Sequence, residues 1–142
     1  MKIIDLNLLL YATNEDFPHH NRARAWLEST LSDIEPVGFS WVVLLGFLRL
    51  STRAGLFSRP LSVREAFDVV LAWLAQPCST IVHPGERHGP ILRDVLLPLG
   101  TAGNLVSDAH LAAIAIEHGA VLCSCDVDFS RFARLQWENP LS

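Results

Sequence analysis

The feature that most constrains the fold is a series of short apolar segments that alternate with longer segments of helical periodicity. The apolar segments cover residues 3–4, 37–39, 80–83 and 120–124. Helices are predicted at residues 6–12, 21–31, 41–53, 61–75, 86–97 and 106–118. No hairpin signal joins the apolar segments, so helical crossovers must connect them. The pattern predicts an α/β fold with a central, mainly parallel sheet flanked by helices.

Local signals mark the ends of several helices. Ser62 and Glu65 form a capping-box pattern in front of an apolar stripe at helical spacing, which contains Phe67, Val70, Leu71 and Leu74. Gly119 is expected to adopt the left-handed conformation that ends the last long helix.

The chain is expected to be one soluble domain spanning residues 1–142. Half of its residues are hydrophobic and 18% are charged, which allows a substantial core. No apolar run is long enough to cross a membrane. The apolar start is interrupted by Asp5 and Asn7, which disfavours a signal peptide.

Cys78, Cys123 and Cys125 are an odd number of cysteines in a chain that does not need disulfides for stability. Alternation along a strand would send Cys123 and Cys125 to opposite faces of the sheet. These observations favour reduced thiols and a cytoplasmic location.

The net charge of −4 argues against a simple basic nucleic-acid binder, whose affinity comes from neutralising phosphates. It does not exclude a nuclease, because an acidic site can contact phosphate through bound cations.

Four aspartates lie where a ligand site of an α/β fold is expected. Asp5 ends the first strand, Asp108 opens a helix, and Asp126 and Asp128 follow the last core strand. Ligand sites in such sheets lie at the carboxyl ends of the strands. Each aspartate also has a structural interpretation, as a helix cap, a first-turn residue or a turn former. Together they suit Mg²⁺ or Mn²⁺, which bind hard oxygen ligands and activate water.

Three segments resemble the PIN-domain toxins of the VapBC toxin–antitoxin type. They are IIDLNLLLYA, SWVVLLGFLRLSTRAGLF, and GNLVSDAHLAAIAIEHGAVLCSCDVDFSRF followed by LQWENPL. The resemblance covers nearly the whole chain. It implies a metal-dependent endoribonuclease that uses Mg²⁺ or Mn²⁺, cleaves RNA, forms a homodimer and is neutralised by a VapB-type antitoxin. It also implies that Asp5, Asp108 and Asp126 are catalytic metal ligands, supported by Asp128.

One position departs from the family pattern. PIN nucleases often carry a glutamate on the helix after the second strand, and Gly46 occupies that position here. Glu65, Glu86 and Glu117 are candidates to compensate. A weakened PIN domain that binds RNA or an antitoxin without cutting it is therefore the alternative function. A phosphotransfer domain is disfavoured because Lys2 is the only lysine.

Other residues have weaker claims to a role. Large aromatics in predicted helices are expected to face the core, and the chain has Trp26, Trp41, Trp73 and Trp137. His110 is close to Asp108 in sequence, but it could point away along the helix. His19 and His20 are expected in a solvated turn, and Arg22 and Arg24 are candidate phosphate contacts against a solvated helix face.

Overall fold

A computed structural model of the chain describes all residues 1–142 and has a five-stranded sheet at its centre. Every pair of neighbouring strands is parallel, and the spatial order is β3-β2-β1-β4-β5. The strands are β1 (Lys2–Ile4), β2 (Val37–Phe39), β3 (Ser79–Ile81), β4 (Val121–Cys123) and β5 (Gln136–Glu138). The predicted fold class is confirmed.

Six α-helices connect the strands. They are α1 (Leu6–Thr13), α2 (His20–Leu31), α3 (Trp41–Ser51), α4 (Val63–Leu74), α5 (His88–Leu96) and α6 (Val106–Glu117). Helix α1 packs against α2 and α3, while α5 packs against α6. Right-handed crossovers place the first four helices on one face of the sheet and the last two on the other. Short 3₁₀ turns lie at Leu97–Leu99, Gly103–Leu105 and Val127–Arg131.

Burial on both faces explains why the strands contain apolar runs instead of alternating residues. Adjacent residues Ile3 and Ile4 of β1 are both fully buried, as are Val37 and Phe39 in β2. Leu122 of β4 is also fully buried. Neighbouring side chains of a strand point to opposite faces, so both faces of these central strands are covered by helices.

The predicted helix signals are confirmed at both marked positions. The Ser62 hydroxyl accepts a hydrogen bond from the Glu65 amide, and the Glu65 carboxylate accepts one from the Ser62 amide. Gly119 follows α6 with a φ of 62°. No helix of the chain is both long and apolar enough to cross a bilayer.

The structure corrects several element boundaries. Helix α3 ends at Ser51, although a helix up to residue 53 was predicted. Strand β3 covers Ser79–Ile81, although a strand at residues 80–83 was predicted. Strand β5 was not predicted at all. Its side chains remain exposed or half-buried at the sheet edge, so it lacks the apolar pattern that identifies the other strands.

The apolar residues of α3 and α4 are not all in the core. The buried face of α4 is formed by Ala66, Val70 and Trp73, whereas Phe67 and Leu71 are exposed. Trp41, expected to be buried, is 41% exposed at the start of α3. Helical periodicity located these helices, but it did not separate the core face from a second apolar surface.

Candidate active site

The strand order creates a switch point between β1 and β4. The chain proceeds outward from β1 to β2 and β3, then returns to place β4 on the other side of β1. Connections leave these two strands in opposite directions, and this opens a crevice at their carboxyl ends. Asp5 follows β1 and Asp126 lies beyond β4, so the topology brings the two ends of the sequence to one site.

Asp5 is held in place by three donors. Its Oδ1 accepts a hydrogen bond from the Leu6 amide at 2.8 Å, and this caps α1. Its Oδ2 accepts bonds from the Ser124 hydroxyl at 2.7 Å and the Asn7 side-chain amide at 3.3 Å. Burial raises the pKa of Asp5, the hydrogen bonds from Ser124 and Leu6 oppose that rise, and the charge of Asp126 adds to it. The helix-cap interpretation and the site interpretation therefore both hold for this residue.

Ser124 connects Asp5 with Asp126. Its hydroxyl, fully buried, accepts hydrogen bonds from the Asn7 side chain and the Asp126 amide, both at 3.0 Å. The Asn7 side-chain oxygen in turn accepts a bond from the Cys125 amide at 3.2 Å. Ser124 and Asn7 therefore fix the loop after β4 against the start of α1.

Asp126 and Asp128 lie in the turn that follows β4. Oδ1 of Asp126 accepts a hydrogen bond from the Asp128 amide at 2.9 Å, so the turn-former interpretation is also correct. Asp128 forms a partly exposed ion pair with Arg131, with Oδ1 3.6 Å from Nε.

Asp108 reaches the same crevice from the first turn of α6. This helix runs back toward the amino end of β4, so its own amino end lies at the carboxyl edge of the sheet. Burial, followed by the charges of Asp5, Asp126 and Asp128, raises the pKa of Asp108 from 3.8 to about 6. The four predicted site residues are therefore close enough to act on one another electrostatically.

The donor chemistry of this cluster fits a hard divalent cation. All four side chains are carboxylates, and a bound cation would reduce the repulsion between them. However, no three Asp, Glu, His or Cys side chains converge closely enough to hold an ion as they stand. Metal binding would therefore require some of these side chains to rotate inward.

Comparisons with known proteins decide the family. The PIN domain family model matches residues 2–135. The chain belongs to the PIN domain family. It is 49% identical to Ribonuclease VapC37 of Mycobacterium tuberculosis, over 99% of this chain and 97% of that protein. It is 43% identical to Ribonuclease VapC33 of the same species, over 99% of both chains.

Solved structures share the PIN fold at lower identity. A VapBC2 complex from Rickettsia felis, bound to a DNA fragment from its promoter, matches with a TM-score of 0.71 at 20% identity, covering 97% of each chain. The sarcin-ricin loop cleaving toxin VapC20 of Mycobacterium tuberculosis matches with a TM-score of 0.68 at 18% identity, covering 96% of this chain and 99% of that one.

Gly46, where PIN nucleases often have glutamate, lies against the beginning of α1. A Cβ atom added at Gly46 would be 2.8 Å from Cδ2 of Leu6, the residue after Asp5. None of the three candidate glutamates makes a contact that would take the place of a glutamate at position 46. Glu65 caps α4, Glu117 accepts hydrogen bonds from the Gly85 and Arg87 amides, and Glu86 is exposed.

The histidines divide between structural contacts and solvent. His110 contacts His88 of α5, with 2.9 Å between Nδ1 and Nε2, so its ring is engaged between two helices. His118 approaches the His83 carbonyl at 2.9 Å. His20 was expected in solvent, but its Nδ1 lies 2.8 Å from the Tyr11 carbonyl oxygen. Of this pair, His19 is the exposed residue.

The two candidate phosphate contacts differ. Arg24 pairs with Glu28 at 2.9 Å on the outer face of α2, which matches the solvated-face interpretation. Arg22 donates a hydrogen bond to the Leu141 carbonyl and lies near Cys125. Burial and the charge of Asp5 raise the pKa of Cys125, and the charge of Arg22 partly opposes that rise.

Sequence reasoning missed Asn7 and Ser124. Ser124 is the last residue of the predicted strand 120–124, in CSCD, and Asn7 lies three residues after the predicted strand 3–4, in DLN. A polar residue near a strand end is the only signal that could have identified them. The acids were recognised because carboxylates have an obvious metal chemistry. Small polar residues at strand ends become informative only when the strand pairing is known.

Proposed function

We propose that the chain is a metal-dependent endoribonuclease of the VapC kind, in which Asp5, Asp108 and Asp126 bind Mg²⁺ or Mn²⁺ and Asp128 supports them. The observation that carries this proposal is the convergence of the aspartates at the switch point, where Ser124 bonds to both Asp5 and the Asp126 amide and Asp108 enters from the first turn of α6. The names of the relatives that align over nearly the whole chain support RNA as the substrate.

The proposed roles follow from the contacts of each residue. When bound, the metal would supply an activated water and stabilise the charge that develops on the phosphate. Ser124 and Asn7 would orient the Asp5 carboxylate, since both donate to its Oδ2. Asp108, which accepts no hydrogen bond from the protein, is the ligand with the greatest freedom to turn toward a cation.

Cleavage of RNA with and without metal tests this proposal directly. Purified protein is expected to cut RNA with Mg²⁺ or Mn²⁺ and to leave 5′-phosphate and 3′-hydroxyl ends. Asp108→Asn should abolish cutting. Equal cleavage in excess EDTA, or products with a 2′,3′-cyclic phosphate, would contradict the metal mechanism.

The alternative is a PIN domain that binds RNA or an antitoxin but cuts weakly or not at all. The glycine at position 46 favours it, because the site then has one acidic residue fewer next to α1. RNA binding without any metal-dependent cleavage would support this alternative. Restoration of cutting by Gly46→Glu would identify the missing acid as the cause, and the flexible end of Leu6 is the only side chain that must yield.

We also propose that the chain pairs with a VapB-type antitoxin, because the structural neighbour from Rickettsia felis is a VapBC2 complex. An arginine of that partner could form bidentate contacts with the acidic cluster and exclude metal. Expression of this chain alone is expected to arrest growth, and co-expression with the adjacent gene should relieve the arrest. A harmless chain that co-purifies with no partner would contradict the pairing.

A further inference from the structure

An aromatic group lies beside the acidic cluster. Helix α1 carries Asn7 and Tyr11 four residues apart, which places both on the same helix face. Asn7 directs its side chain to Asp5 and Ser124, so Tyr11 continues this face away from the carboxylates. Its phenol stays within electrostatic reach of the site: burial raises the pKa of Tyr11, and charges on Cys125, Asp126 and Asp5 raise it further.

Tyr11 is packed by two further rings. Phe17 meets it edge-on with centroids 4.8 Å apart, and the His19 ring lies 5.6 Å away at an interplanar angle of 47°. The contact of His20 with the Tyr11 carbonyl holds the start of α2 against α1. His19 is exposed and its ring makes no hydrogen bond within the protein, so one face of a supported imidazole is open to a ligand.

A cation lies on the same side of α2. Arg22 is three residues after His19, so the two side chains are neighbours on the helix surface. Unlike Arg24, Arg22 is not paired with a carboxylate; its contact is with the Leu141 carbonyl. An exposed ring next to an arginine without a carboxylate partner is the combination that binds an unpaired base and its phosphate.

We propose that Tyr11, His19 and Arg22 form an RNA-contacting edge, in which one unpaired base next to the cleavage position stacks on His19, supported by Tyr11, while Arg22 contacts the adjoining phosphate. This inference rests on the proposed ribonuclease function and assigns it a substrate-positioning surface outside the carboxylates. Stacking tolerates different bases, so this edge determines where the RNA strand lies in the site more than it selects a base sequence.

The test measures binding of a short single-stranded oligoribonucleotide by fluorescence anisotropy in the Asp108→Asn background, where no cutting interferes. His19→Ala is expected to weaken binding by at least about fivefold, since aromatic stacking contributes about 5- to 150-fold per base. His19→Phe should restore binding, because it keeps a ring face. His83→Ala, which removes an exposed imidazole from the segment after β3, is the matched control and should leave affinity unchanged.

Oligonucleotides with one abasic position, moved stepwise along the strand, separate stacking from other effects. At one position the difference in affinity between the parent protein and its His19→Ala variant should vanish, because the stacked base is then missing from both complexes. In the active protein, His19→Ala should raise KM with little change in kcat. Arg22→Gln should reduce the salt dependence of binding.

The outcomes of the test separate three cases. If the wild type cuts RNA but His19→Ala binds as tightly as its parent, the proposed edge is wrong while the ribonuclease function stands. If His19→Ala weakens only capture of the antitoxin, the proposed edge is also wrong, because this surface then belongs to that protein partner. If the wild type neither binds nor cuts RNA, both proposals fall together.

Discussion

At the level of single residues, Asp5 and Asp108 differ in what surrounds their carboxylates. Asp5 accepts three hydrogen bonds, so Asp5→Asn would turn an amide toward donors and lose bonds as well as charge. Asp108 accepts none from the protein and experiences burial and the repulsion of three other acids. Asp108→Asn therefore removes a site charge without also breaking hydrogen bonds, and it tests the role of that charge better than Asp5→Asn does.

Asp108 should make the metal-free protein less stable as pH rises. The unfolded chain loses this proton near pH 3.8, whereas the folded chain keeps it up to about pH 6. The folded state therefore binds more protons between these values, and the free energy of unfolding falls as pH rises through that window. Melting temperatures across the window should decline less for Asp108→Asn than for wild type. The exposed Asp68→Asn is the control, and an identical decline in all three proteins would contradict the assignment.

Divalent metal should reverse this loss of stability. A cation that binds only the folded state adds about 2.7 kcal/mol at a hundredfold excess over Kd. Mn²⁺ is therefore expected to raise the melting temperature of wild type at neutral pH and to have much less effect on Asp108→Asn. A calorimetric titration that gives the same affinity for both proteins would show that Asp108 is not a ligand.

Ser124 should matter for both stability and activity. Ser124→Ala removes the shortest hydrogen bond to the Asp5 carboxylate and leaves the Asp126 amide without its acceptor, which should cost about 1–3 kcal/mol in the free energy of unfolding. Denaturant unfolding measures that cost, and metal titration should show a weaker site. Ser130→Ala, in the exposed turn, is the control. Unchanged metal affinity in Ser124→Ala would mean that the hydroxyl is only structural.

At the level of elements, the sequence allowed most helices and the central strands to be located, because burial on both sheet faces leaves uninterrupted apolar runs. Two kinds of information were missing. Edge strand β5 forms by pairing with β4, and its own side chains carry little signal of this. The order of the strands depends on hydrogen bonds between distant segments, so the acids that share a site with Asp5 could be named, but not their arrangement or the bridging Ser124.

The connection between β3 and α5 depends on one carboxylate. Glu117, at the end of α6, accepts hydrogen bonds from the Gly85 amide at 2.7 Å and the Arg87 amide at 3.0 Å. Glu117→Ala should release both amides and speed their hydrogen exchange, whereas Glu86→Ala should not. These bonds lower the pKa of Glu117 below 4.5, so the protection should persist above that value and be lost as pH falls through the lower folded-state pKa. Equal exchange in the two variants would contradict this role.

At the level of the whole molecule, α3 and α4 expose several large apolar side chains. The exposed side chains are Trp41 (41%), Val42 (37%), Leu45 (59%), Val63 (66%), Phe67 (39%) and Leu71 (58%). We propose that this surface is the contact of the homodimer that the family resemblance implies, because large apolar patches mark protein contacts. Wild type should sediment as a dimer and Leu45→Glu as a monomer, with Val127→Glu, an exposed apolar residue elsewhere, as the control. A monomeric wild type would contradict the proposal.

The switch point between β1 and β4 also determines when the site can exist during synthesis. Asp5 and Ser124 are 119 residues apart in the chain, and the hydrogen bond between them joins the two segments that form the site. A nascent chain that has not yet released β4 holds Asp5 and Asp108 without Asp126 and Asp128. The four carboxylates therefore come together only after β4 has been made and has paired with β1, so the site cannot act earlier in the synthesis of this domain.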